Sequence, residues 1–137
     1  MTALLDTSFL LAMSNAADHN HARVLEVAQS IADPLILPIT VLPEVTYLLG
    51  SRLGHAAMRQ FLKSLVKSDV TLEAITFIDL ERATEILDTY ADGRLDFVDS
   101  TIVAIAERLN ITRILTLDRR DFMVIRPKHQ SYFEILP

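Results

Sequence analysis

Apolar residues in this chain follow two rhythms. Ala3-Leu4-Leu5 runs without alternation up to Asp6, and Arg113-Ile114-Leu115-Thr116-Leu117 does the same up to Asp118. Continuous apolar runs of this length read as short strands buried on both faces. Leu35-Ile36-Leu37, enclosed by Pro34 and Pro38, and the loosely alternating stretch from Val70 to Phe77 are further strands. Elsewhere the spacing is helical. Val24, Leu25, Ala28, Ile31 and Ala32 share a face between His21 and Ala32; Leu80, Ala83, Leu87 and Tyr90 do so between Leu80 and Ala91. Val98, Ile102, Ile105, Ala106 and Leu109 form the same kind of stripe. Another helix is expected from about Val41 to Leu53, with Thr40 as N-cap and Pro43 tolerated in the first turn. In the tail, Met123-Val124-Ile125 and Phe133 to Leu136 are candidates for a short strand or two. Strands separated by helices predict an α/β fold with a parallel sheet covered on both faces.

Composition narrows the class. The 137 residues are 50% hydrophobic and 23% charged, a balance that folds rather than staying disordered. One domain spanning 1–137 is expected, because no linker, repeat or low-complexity tract interrupts the chain. The absence of cysteine excludes disulfides, thiolate metal sites and cysteine nucleophiles. No apolar run approaches the roughly 18 residues of a membrane span, so a soluble cytoplasmic protein is expected. A net charge of −5 argues against a broad basic surface for nucleic acid, but not against a nuclease whose own carboxylates hold cations.

Four acids stand out by position. Asp6 and Asp118 each follow a buried strand, where ligands of parallel sheets bind. Each alone could be a turn former or helix cap. Glu44, in the first turn of its helix, borders Val41, Val45 and Leu48 instead of a polar face. Asp99, with Ile102 and Val103 one turn on, borders the core in the same way, and Asp96 three residues earlier has the spacing of a capping residue. Clustered carboxylates repel unless a cation lies among them, and oxygen-only ligation selects Mg²⁺ or Mn²⁺ over zinc. The histidines at 19, 21, 55 and 129 lack the spacing of a helical metal pair. With three glycines the chain has no phosphate-binding loop, dinucleotide fingerprint or nucleophile elbow.

Leu4-Leu5-Asp6-Thr7-Ser8, Leu42-Pro43-Glu44-Val45, Asp96-Phe97-Val98-Asp99-Ser100 and Leu115-Thr116-Leu117-Asp118-Arg119-Arg120-Asp121-Phe122, in that order, resemble the PIN-domain nucleases. More narrowly, they resemble the VapC-like toxins of toxin-antitoxin pairs. The resemblance implies a three-layer α/β/α sandwich that cleaves RNA with one or two Mg²⁺ or Mn²⁺ ions. Asp6 and Asp99 match the principal ligands, and Glu44 and Asp118 complete the site directly or through water. Asp96 is a possible outer ligand, and Thr7, Ser8 and Thr116 support the site. The resemblance also implies a homodimer and a cognate antitoxin. Arg119 and Arg120, beside Asp118, are the candidates for the RNA backbone. The stripe of Arg59, Lys63 and Lys67 reads first as a solvated face. Two other readings compete: a receiver-like signalling domain, which needs an early acidic pair and a late lysine, and a PIN-like RNA-binding module without catalysis.

Overall fold

A computed structural model describes residues 1–137. The order is β1 (Leu4–Leu5), α1 (Thr7–Met13), α2 (His21–Ser30), β2 (Ile36–Pro38), α3 (Val41–Leu53), α4 (His55–Lys67), β3 (Thr71–Glu73), α5 (Phe77–Thr89), α6 (Phe97–Leu109), β4 (Arg113–Leu115), α7 (Arg119–Met123) and β5 (Glu134–Leu136). The strands form one sheet in the order β3-β2-β1-β4-β5. Every pairing is parallel, with Leu4 opposite Ile36 on one side and Ile114 on the other.

Parallel neighbours require crossovers, and crossovers are right-handed. The chain therefore lays α1 to α4 on one face while it moves outward from β1 to β3. It covers the other face when it returns through α5 and α6 to β4. Packing agrees: α1 touches α2 and α3, α3 touches α4, and α5 lies along α6. The result is the expected three-layer α/β/α sandwich. Between the layers Leu4, Leu5, Phe9, Leu37, Ile102, Ile105, Ile114, Leu115 and Phe122 are fully or almost fully buried. No helix is long and apolar enough to cross a membrane.

Several boundaries differ from the sequence reading for identifiable reasons. Helix α5 starts at Phe77, inside the stretch expected to be strand, because Thr76 and Asp79 close a capping box there. Helix α1, which the continuous apolar run concealed, begins immediately after Asp6. Residues 123–125 close α7 and the turn after it instead of forming a strand, whereas Glu134–Leu136 is β5. Thr40 does not cap α3 with its side chain; its hydroxyl lies 2.7 Å from that of Thr101 on α6.

Candidate active site

The first three strands step toward one edge of the sheet and the last two toward the other, so the direction of winding reverses between β1 and β4. Loops diverge at such a point and leave a crevice at the carboxyl ends of the strands. Asp6 leaves β1 there, and Asp118 lies three residues beyond β4. Glu44 enters from the first turn of α3 and Asp99 from the first turn of α6. Four elements thus direct carboxylates toward one crevice, and their electrostatics link them.

Asp6 is 2% exposed. Burial pushes its carboxyl up from 3.8 to about 6; hydrogen bonding from Thr116 and Thr7 opposes this, and the charges of Asp118 and Glu44 add to it. Asp99 is pushed to about 8, by burial first and then by Asp96 and Asp6. Asp118, at the rim, is also raised: partial burial and the charges of Asp121 and Asp96 outweigh Ser8 and Arg94. The charges of Asp118 and Glu44 thus reach Asp6, those of Asp6 and Asp96 reach Asp99, and that of Asp96 reaches Asp118.

Hydroxyls orient these acids. Thr116 Oγ1 donates to Asp6 Oδ2 over 2.7 Å and accepts from the Asp118 N–H at 2.9 Å. With its only proton given to Asp6, Thr116 must accept in its 3.1 Å contact with Ser8 Oγ. Ser8 Oγ also lies 3.4 Å from Asp6 Oδ2 and accepts from the Leu117 N–H. This small network ties the end of β1 to the loop after β4 and engages only Oδ2 of Asp6. On α6, Asp96 Oδ1 accepts from the Asp99 N–H and Asp99 Oδ2 accepts from the Asp96 N–H, closing a reciprocal capping box. The capping role expected for Asp96 is thus observed, although aspartate is short for the N3 partner.

The donor set fits a hard cation. Every candidate ligand is an oxygen, Oδ1 of Asp6 and of Asp99 remain outside these side-chain bonds, and Thr7 Oγ1 is buried without a partner. In this arrangement no three acidic or imidazole side chains converge tightly enough to hold an ion. The capping box holds Oδ2 of Asp99 on its own helix.

The arginines divide. Arg119 donates to the carbonyls of Ile135 (3.1 Å) and Pro137 (2.6 Å), tying α7 to β5. Arg120 is exposed beside Asp118. Arg94, which no motif singled out, reaches the same place from the loop before α6, with its guanidinium 3.5 Å from Asp121. Loop geometry brings it there, and nothing in the local sequence announces it. The three lysines lie elsewhere: Lys63 and Lys67 on α4, and Lys128 beside Glu85. None occupies the place that a receiver-like site requires.

Known proteins carry the same organisation. The PIN domain family matches residues 3–126. Ribonuclease VapC26 of Mycobacterium tuberculosis is 36% identical over 134 residues, covering 98% of this chain and 99% of that protein. The crystal structure of M. tuberculosis VapC20, a sarcin-ricin loop cleaving toxin, superposes with a TM-score of 0.80 at 27% identity, covering 87% of this chain and 91% of that one. At 15% identity and a TM-score of 0.74, VapBC2 from Rickettsia felis shares the fold over 100% of both chains. The chain belongs to the PIN-domain family, on its VapC-like branch.

Proposed function

We propose that this chain is a Mg²⁺- or Mn²⁺-dependent endoribonuclease, the toxin of a toxin-antitoxin pair, acting in the cytoplasm as one nuclease domain. The observation that carries this reading is the burial of two aspartates, Asp6 and Asp99, at the carboxyl end of the sheet, where the charges of Asp118 and Glu44 also reach Asp6 and burial raises both buried carboxyls. Stable folds avoid such a group unless it serves chemistry. Asp6 and Asp99 would hold one or two ions, with Glu44 and Asp118 completing the site directly or through water and Asp96 acting in an outer position.

A bound ion supplies a water of lowered pKa and neutralises charge developing on the phosphate. Thr116 and Ser8 hold Asp6 in one orientation, so that Oδ1 stays available. Glu44 or Asp118 would accept the proton of the attacking water as its oxygen bonds to phosphorus and the P–O bond to ribose breaks, the departing oxygen taking the bonding pair and a proton from solvent. A homodimer and a cognate antitoxin belong to the proposal. Phe77 and Ile78, 89% and 75% exposed, supply apolar surface for protein partners.

Incubating a labelled RNA pool with the protein and Mn²⁺, beside Asp6→Asn, tests the reading. Cleavage by the parent alone is the expected result. An intact pool with both proteins, or equal cleavage by both, would refute it.

A further inference from the structure

Beside the carboxylates lies a cleft that the proposed chemistry does not use. A cavity of about 550 Å³ between the α5–α6 connection and α7 is walled by Tyr90, Leu95 and Val124 and bordered by Arg94, Arg120 and Asp121. A second, of about 440 Å³, is lined by the same Arg94, Arg120 and Asp121 and by Asp118. The two adjoin through these three residues, so the same pair of arginines borders both the apolar wall and the Asp118 carboxylate. The size of the cleft suits one small ligand and excludes a duplex.

The cations at its centre are free to bind. Arg94 is 75% exposed, and its contact with Asp121 is a long 3.5 Å. That contact holds the guanidinium over the cleft while leaving most of its N–H donors unused. Arg120 is exposed on the first turn of α7 and forms no ion pair or hydrogen bond, whereas Arg119 donates through one nitrogen to the backbone oxygens of Ile135 and Pro137. Tyr90 is fixed as part of the wall, because its hydroxyl accepts from the Arg126 N–H over 2.8 Å. Asp92 and Asp121 keep the cleft from being uniformly basic. A free anion should therefore bind weakly there, and a phosphate tethered to a linkage already held at the carboxylates should bind well.

We propose that this cleft is a subsite for one unpaired ribonucleotide flanking the scissile linkage, with its phosphate on Arg94 and Arg120 and its base against Tyr90, Leu95 and Val124. Two guanidiniums position a phosphate, and an aromatic-aliphatic wall accepts the face of any unstacked base. The subsite rests on the ribonuclease reading and adds a demand that the substrate be single-stranded or looped on that side.

The test uses the full chain with Ca²⁺ in place of Mn²⁺, so that Asp6 and its neighbours stay intact, and a fluorescent single-stranded RNA that the parent cleaves with Mn²⁺ or, failing cleavage, binds. Fluorescence anisotropy is followed across a salt series. Replacing Arg94 and Arg120 together by Ala should weaken binding about tenfold and flatten the log K against log salt slope by about 0.7, the value of one single-strand phosphate. Lysine at both positions should restore most of the loss, and Arg23→Ala, exposed on α2, should change nothing. A neutral methylphosphonate at one particular linkage should weaken the parent and leave the double-alanine protein unaffected. Unchanged affinity and slope in the double variant, or a methylphosphonate effect equal in both proteins, overturns the subsite. Cleavage by the parent together with an unaltered double variant sinks the subsite alone. Binding that depends on both arginines without any cleavage sinks the ribonuclease reading and leaves the cleft an RNA-binding site with no scissile linkage beside it, and absence of binding sinks both.

Discussion

Asp6→Asn should abolish cleavage and yet stabilise the protein when no divalent ion is present. The side chain is 2% exposed, and burial is the main cause of the rise in its pKa from 3.8 to about 6. At about 1.36 kcal/mol per pH unit, ionising it in the fold costs about 3 kcal/mol more than in the unfolded chain. Asparagine keeps the shape and can still accept the Thr116 hydroxyl, but its new amide donors subtract about 1 kcal/mol. A gain of about 2 kcal/mol remains, or roughly 6 °C in Tm for a chain of this size. The sign depends on pH. Below about pH 4 the acid is protonated in both states and the ionisation cost disappears, so only the amide penalty of about 1 kcal/mol remains and the variant should melt slightly below the parent. From about pH 4 to 6 the folded state retains a proton that the unfolded chain has lost, so the parent weakens relative to the variant, and above about pH 6 the gap is complete. Thermal melts with a chelator at about pH 3.5 and about pH 7.5 check this. A variant less stable than the parent at the higher pH, or a gap that persists unchanged in acid, would refute the reasoning.

Other perturbations separate the site from the scaffold. Thr116→Val removes the 2.7 Å hydrogen bond to Asp6, and should lower Mn²⁺ affinity or cleavage about tenfold with little change in Tm, as second-sphere changes at metal sites do. Arg108→Ala strips buried Asp79 of its bidentate partner, and should cost about 2 kcal/mol in urea unfolding, the low end for a pair whose cation is partly exposed. There the pH dependence runs opposite to that of Asp6. Burial raises the Asp79 pKa, but Arg108 and Thr76 lower it further, so its contribution is present above the ordinary pKa and lost as pH falls through the folded value. Leu5→Ala, at the centre of the sheet, should cost about 2 to 5 kcal/mol and shift the urea midpoint without altering which RNA is cut.

What the sequence disclosed and what it concealed follow from the range of the forces involved. Helix α3 falls between Val41 and Leu53 as expected, and α6 begins one residue before its expected start, because their apolar stripes repeat over three turns. Helix α1 is not legible in the sequence because it is only Thr7–Met13 and mostly buried, so no polar face reveals its period. The strand pattern runs past the end of β3 because Thr76 and Asp79 cap a helix whose first residues, Phe77 and Ile78, look like strand. Asp6 and Asp118 were recognisable as acids following buried runs, and their adjacency follows from β1 and β4 pairing, which a parallel α/β order makes natural. The Thr116–Ser8–Asp6 network and the approach of Arg94 to Asp121 join residues far apart in the chain. No local pattern encodes those contacts.

The central claim is that Asp6, Glu44, Asp99 and Asp118 together hold a hard divalent ion. Calorimetric titration of the parent with Mn²⁺ at about pH 7 tests it most directly, repeated in two buffers of different ionisation heat so that proton release is read as well. The account predicts saturable uptake of one or two ions, protons released because the Asp99 carboxyl stands at about 8, and loss of uptake in Asp6→Asn. No saturable heat in the parent, or the same uptake in Asp6→Asn, would contradict it.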